Sequence, residues 1–258
     1  MTIKAYAKVN IFLKIVGTKG NFHKLSSRFM QVKNLYDTLS FKEKKSPTGE
    51  FVLIGDFGCS VEKNTIYKAY LELEKVANKV LLQTFFKKYQ VVVKKEIPEF
   101  AGLGGGSSNA AAFLNLINDV LILNLTKDEL AKIGAKIGAD VPFFIYNYPS
   151  ANVSGIGEIV KPYEEDILDI ITITPDIKCD TAKVYQKFRA DYLKYIDISF
   201  TNELATIDSK DILQSYNIST LNDLFKPALD LYPDLYTYKK PNWFFSGSGS
   251  TFFRMSHG

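Results

Sequence analysis

The sequence predicts an α+β fold, because strands and helices mix without the regular strand–helix alternation of a doubly wound sheet. Three stretches carry that reading. Residues 3–16 alternate and are rich in β-branched and aromatic side chains. An alanine-rich apolar helix follows directly on a glycine run at 102–106. The second half sets short strand-like stretches beside several helical ones.

In chain order, the strand at 3–16 is followed by polar turn residues at 17–21 and by strand-like stretches at 28–32 and 38–42. Residues 44–49 carry Ser, Pro, Thr and Gly and read as a loop. Between 64 and 86, Ile66, Ala69, Tyr70, Leu73, Val76 and Ala77 recur at helical spacing and predict one amphipathic helix. Val91, Val92 and Val93 mark a short buried strand at 89–94. Residues 97–106 form a loop with Pro98 and four glycines, and 107–123 a helix that opens on Ser107 and Ser108. Thr126 and Glu129 spell a capping box for a helix ending near Gly138. The apolar run 140–146 begins on an acid and reads as a strand. Strands are expected at 151–160 and 169–175, a helix at 180–195 followed by several shorter helices, one of them around 221–232, and a strand–turn–strand at 243–253 on Ser246-Gly247-Ser248-Gly249-Ser250. Segment 196–220 matches no motif that can be placed, and a boundary near residue 148 separates domains 1–148 and 149–258.

At 258 residues the chain has room for two smaller domains sharing a cleft, and 46% hydrophobic against 23% charged residues is an ordinary globular balance. The net charge of +4 is too mild to argue for nucleic acid, and no basic run with interleaved aromatics is present. Cys59 and Cys179 have neither metal-ligand spacing nor a disulfide framework, so a reducing cytoplasm is expected. The apolar N-terminal stretch is interrupted by Lys4, Lys8 and Asn10, and reads neither as a signal peptide nor as a membrane span. A soluble protein with neither nucleic-acid nor membrane partners is expected. His257, second from the C-terminus, is expected to be disordered there.

The chemistry concentrates at Gly102-Leu103-Gly104-Gly105-Gly106-Ser107-Ser108. Glycine allows positive φ and close approach of the backbone, so successive N–H groups can face one concavity and bind an anion. The following helix adds unpaired N–H groups and the positive end of its dipole. Ser107 and Ser108 add hydroxyls for phosphate oxygens or for the Mg²⁺ that travels with ATP. No Gly-Lys-Ser/Thr closes the loop, and the dinucleotide fingerprint fails in every frame. The alternative is a flexible glycine loop that happens to precede a helix.

The full stretch Pro98-Glu99-Phe100-Ala101-Gly102-Leu103-Gly104-Gly105-Gly106-Ser107-Ser108-Asn109-Ala110-Ala111 closely resembles the second motif of the GHMP kinases. Its long glycine run resembles the branch that phosphorylates 4-diphosphocytidyl-2-C-methyl-D-erythritol, whereas mevalonate and homoserine kinases usually carry Gly-Leu-Gly-Ser-Ser. Ala5-Tyr6-Ala7-Lys8-Val9-Asn10-Ile11 resembles the first motif, with Tyr6 where proline is usual. Phe22-His23-Lys24-Leu25 resembles the Tyr-His-x-Leu that follows, and Gly138-Ala139-Asp140-Val141-Pro142-Phe143-Phe144 a catalytic segment. Asn222-Asp223-Leu224 and Ser246-Gly247-Ser248-Gly249 resemble the late motifs. The resemblance implies a two-domain GHMP kinase fold, with a ribosomal-protein-S5-domain-2-like N-terminal domain and a ferredoxin-like C-terminal one. It implies ATP and Mg²⁺ on Pro98–Ser108, a cytidine-diphosphate sugar alcohol as acceptor, and a monomer or weak homodimer. The chain ends a few residues after the last motif, where many relatives continue, so trimmed or replaced final elements are expected.

Single residues read two ways until the resemblance is applied. Asp140 is either a turn or helix-end aspartate or the base that accepts the attacking hydroxyl's proton. Lys8, on the same strand face as Tyr6 and Asn10, is either an exposed strand lysine or a positive charge near the base and the moving phosphoryl group. The resemblance selects the catalytic role for both. It also implies that His23 and the preceding Phe22 recognise cytosine and that Asn10 bonds substrate, whereas residue type alone fits a surface histidine and a strand-edge asparagine. A kinase for another alcohol, a nucleotide-binding regulatory module and an RNA-binding module are the rival readings.

Overall fold

A computed structural model describes residues 1–47 and 49–256; Thr48, within the expected 44–49 loop, and His257 lie outside the described residues. The chain forms two compact units, each assembled from separated segments. The first comprises Met1–Ala7, Leu35–Ile97 and Gly105–Asn147. The second comprises Lys8–Asn34, Pro98–Gly104 and the chain from Tyr148 on.

Two long strands, β1 (Thr2–Lys19) and β2 (Phe22–Glu43), pair with each other. The stretches expected at 28–32 and 38–42 are thus one strand. Lys33 and Asn34 are exposed there, and a polar pair facing solvent interrupts the apolar pattern without interrupting the backbone ladder.

In the first unit, β3 (Leu53–Ile54) runs parallel to β4 (Tyr89–Lys94), which pairs antiparallel with β2 from Thr38↔Lys94 to Glu43↔Tyr89. The single helix expected at 64–86 is two, α1 (Thr65–Glu74) and α2 (Lys79–Lys88). Asn78 causes the break: its side chain accepts the Leu81 N–H at 3.1 Å and caps α2, as Asn64 caps α1 through the Ile66 N–H at 2.9 Å. α3 (Gly105–Val120) is buried from Ser108 through Ile117 and packs against α1 and α5. α4 (Lys127–Ala135) opens on the expected capping box, with Thr126 N–H donating to Glu129 at 2.8 Å. Residues 141–146, expected as a strand, form α5 (Val141–Tyr146). A six-residue apolar run has no period long enough to decide, and Pro142 in the first helical turn favours the helix. Phe41, Phe51, Tyr70, Phe85, Phe86 and Phe113 form an aromatic cluster beneath the helices.

In the second unit, β5 (Ser150–Gly155) pairs antiparallel with β2 from Leu25↔Gly155 to Met30↔Ser150, and β6 (Ile159–Pro162) pairs with β5. The strand expected at 151–160 is therefore a hairpin, turned at Gly155 with φ +73°. A second sheet orders β7 (Ile170–Ile173), β9 (Phe252–Met255) and β8 (Phe244–Phe245) antiparallel. Helix α6 (Thr181–Asp191) follows β7. Segment 196–220 contains three short helices, α7 (Ile198–Leu204), α8 (Ser209–Ser215) and α9 (Ile218–Leu221), ahead of α10 (Phe225–Leu231). Their anchor is fully buried Arg28, which donates to the Ala205 carbonyl at 3.0 Å, pairs with Glu165 at 3.3 Å and stacks on Tyr163. No helix among the described residues is long and apolar enough to cross a membrane.

Candidate active site

The glycine loop is shared between the units: Pro98–Gly104 belong to the second, Gly105–Ser108 to the first. Of the other expected site residues, Asp140 belongs to the first unit, and Lys8, Asn10, Phe22 and His23 to the second.

In the first unit, the expected helix start at Ser107 moves back to Gly105, so Gly105 and Gly106 form the first turn of α3. That turn carries no acidic residue, and its leading N–H groups have no intrahelical acceptor. Gly106 is exposed, Ser107 half-buried and Ser108 buried, while Thr65 donates to the Gly106 carbonyl at 2.7 Å. A Cβ placed on Gly138 would lie 3.7 Å from the Ser107 hydroxyl, so the Gly138-Ala139-Asp140 turn runs beside this helix start. Asp140 precedes α5 in αR conformation, and its side chain makes no capping bond to that helix. The turn thus leads from beside the α3 N-terminus, a helix end of the kind that attracts anions, to half-exposed Asp140.

In the second unit, Lys8 is only 3% exposed, because alternation along β1 directs it into a polar layer rather than to water. Its ammonium donates to Asn10 Oδ1 at 2.6 Å and to the Gly102 carbonyl at 3.0 Å, with the Phe29 ring centroid 4.6 Å away. Asn10 donates onward to Ser27 at 3.0 Å, and Ser27 to the Phe12 carbonyl. Gly102 also accepts from Ser246 Oγ at 2.9 Å, and the Leu103 carbonyl from the Lys8 N–H at 3.0 Å. Gly102 has φ +74°, and a Cβ there would fall 2.0 Å from the Ser246 carbonyl oxygen. Only glycine fits this crossing of the two glycine turns. Asn222 braces the late turn, donating to the Phe245 carbonyl at 2.8 Å and the Gly247 carbonyl at 3.0 Å.

His23 lies just past the β1–β2 turn, buried against α6, while its neighbour Phe22 is 62% exposed. Its ring sits 5.2 Å from Tyr185 and 5.9 Å from Phe188. Arg189 donates to the Gly20 carbonyl at 3.1 Å, the Phe22 carbonyl at 3.3 Å and His23 Nε2 at 3.4 Å. A guanidinium only donates, so Nε2 is the bare nitrogen and the ring proton sits on Nδ1. Burial, and then the Arg189 charge, lower the His23 pKa from its ordinary 6.5. As pH falls below 6.5, the unfolded chain gains a proton that the folded ring resists, so stability decreases until the lowered value is passed. We expect NMR titration of the two histidines to give His23 a pKa below 6.5, and Arg189→Met to raise it. A wild-type value at or above 6.5 would contradict this geometry.

Sequence reading missed Asp37, Ser27, Tyr185, Phe188 and Arg189. Asp37 is fully buried and bonds Lys95, Glu96, Ile97 and Asn109. Its one sequence signal is an acid within a strand-like stretch, which is costly to bury without partners. Arg189 stands 166 residues from His23 and carries no local signal.

Residues 64–148 match the family of GHMP kinases N terminal domains. The chain is 52% identical to the 4-diphosphocytidyl-2-C-methyl-D-erythritol kinase of Sulfurimonas denitrificans, over 98% of this chain and 96% of the relative. It is 42% identical to the kinase of the same name from Campylobacter jejuni, over 98% and 99%. A crystal structure of 4-(cytidine 5'-diphospho)-2C-methyl-D-erythritol kinase superposes with a TM-score of 0.74 at 27% identity, covering all of this chain and 91% of that one. Mevalonate pyrophosphate decarboxylase from Streptococcus pyogenes shares the fold, with a TM-score of 0.66 at 14% identity over 99% and 89%. With relatives at this identity over nearly their whole length, and the GHMP loop at the head of α3, the chain belongs to the 4-diphosphocytidyl-2-C-methyl-D-erythritol kinases, a family of GHMP kinases.

Proposed function

We propose that this chain transfers the γ-phosphoryl group of ATP to the 2-hydroxyl of 4-diphosphocytidyl-2-C-methyl-D-erythritol, in the non-mevalonate route to isoprenoid precursors. The observation that carries the reading is the glycine loop Gly102–Ser108 running into the acid-free N-terminus of α3, in a chain 52% identical to a kinase of that name. The backbone N–H groups of the loop and of the first helical turn hold the phosphates of ATP.

Asp140 takes the proton of the acceptor hydroxyl as its oxygen attacks the γ-phosphorus. The bond from that phosphorus to the β–γ bridging oxygen breaks, and ADP leaves. Lys8 supplies positive charge to the phosphoryl group in transit. Phe22 and His23 recognise the cytosine, with His23 offering a neutral Nδ1–H donor, and Asn10 bonds the acceptor. The Ser107 hydroxyl presents a hard oxygen donor that would suit Mg²⁺, which when bound would offset the negative charge of the phosphates. The cytoplasm and a monomeric or weakly dimeric state belong to the same proposal; two unpaired cysteines support the first.

The test is coupled ADP release with Mg·ATP and, separately, the cytidyl substrate, mevalonate or homoserine. Release with the cytidyl substrate alone is the expected result. Equal release with an acceptor lacking cytidine moves the chain to another alcohol, and ATP binding without release under any acceptor leaves a regulatory nucleotide-binding module.

A further inference from the structure

We propose that Asp37 is a positioning residue that holds the glycine-rich loop in its ATP-binding shape by tying both ends of the loop to one buried carboxylate. The proposal rests on the reading that this loop binds the phosphates of ATP.

Asp37 lies on β2, one residue before the Thr38↔Lys94 pair, and is fully buried. One carboxylate oxygen accepts the backbone N–H groups of Glu96 at 2.7 Å and Ile97 at 2.9 Å, immediately before the loop. The other accepts the Asn109 side-chain amide at 2.7 Å, immediately after it, and pairs with the Lys95 ammonium. Lys95 also reaches Asn109 Oδ1 at 3.4 Å, which closes the cluster on itself.

A buried carboxylate is tolerated only when its charge and lone pairs are matched, and here four donors meet two oxygens. The effect is geometric. Residues 98–108 would otherwise sample many closures, and fixing their ends to one strand removes much of that freedom before any ligand arrives. An amide at position 37 cannot substitute, because its NH₂ would face the donors of Lys95 and Asn109. Asp37 itself touches no phosphate; it acts through the loop.

The arrangement predicts a specific rescue. In Asp37→Asn the KM for ATP should rise about tenfold or more, since small displacements of positioning groups are costly. The KM for the acceptor should stay within about twofold, and the rise in Tm caused by ATP should shrink. In Asp37→Asn combined with Asn109→Asp, the introduced amide donates to the introduced carboxylate, which still pairs with Lys95, and the KM for ATP should return to within about threefold of wild type. Should the single variant fail to fold, Asn109→Ala cuts the helix-side tie, together with the longer bond from Lys95, and should raise the KM for ATP with kcat unchanged. A single variant that loses Tm yet keeps the wild-type KM for ATP would overturn the proposal, as would a double variant no better than the single. If ATP fails to raise the Tm of the unmodified chain, the loop reading itself falls and this proposal with it.

Discussion

Asp140→Asn is expected to lower kcat by about 10²–10⁴-fold, the range over which a positioned general base contributes. The amide keeps the size of the side chain and removes the acceptor for the hydroxyl proton. Asp140 makes no capping bond to α5, so loss of its charge should leave that helix start intact. The phosphates are held in this reading by backbone N–H groups of the loop and the first turn of α3, so ATP should raise the Tm of the variant about as much as that of wild type. The measurement is single-turnover phosphoryl transfer beside a thermal shift with Mg·ATP. Turnover near the wild-type rate would remove Asp140 as the base, while joint loss of turnover and ATP binding would make it a binding residue instead.

Lys8→Met should lower kcat by about 10²–10³-fold, comparable to removing a preorganised charge from a transition-state site. Here a stability effect accompanies the catalytic one. The ammonium donates to Asn10 and Gly102 within a buried layer. Gly102 keeps Ser246 as a donor, whereas Asn10 Oδ1 loses a 2.6 Å bond in a setting nearly closed to water. An unsatisfied buried acceptor costs about 1–3 kcal/mol, so urea denaturation should register a loss of that order. The two effects separate by experiment: urea denaturation reads the stability loss, and single-turnover transfer under conditions where the variant is fully folded reads the catalytic one. A wild-type kcat in Lys8→Met, with only the stability loss, would assign Lys8 to the scaffold.

Elements whose cause is local were legible in the chain order. The capping box at Thr126 and Glu129, the valine strand at 89–94 and the helix behind the glycine loop each depend on neighbours within a few residues. Reading failed where local signals were too short or too polar. The six apolar residues from Val141 fit strand and helix equally until Pro142 is weighed, and Asn78 divides what its flanking apolar residues spell as one helix. Segment 196–220 could not be placed because its anchor, Arg28, lies 177 and 179 residues before the carbonyls it binds and reveals nothing until buried.

The candidate site divides along the same line. A cradle of glycines before a helix terminus is written in consecutive residues, because its chemistry is that of consecutive backbone N–H groups. The order of the motifs along the chain likewise pointed to the family before any fold was known. Side-chain environments were decided by packing alone. Lys8 could have been an exposed strand lysine; what distinguishes it is the Gly102 carbonyl 94 residues away. Arg189 determines which His23 nitrogen carries the proton from 166 residues away, and Asp37 meets Asn109 across 72. The physical reason is that desolvation and hydrogen-bond partnership are properties of a place in the folded protein, and residues far apart in sequence share such a place only once the tertiary structure has formed.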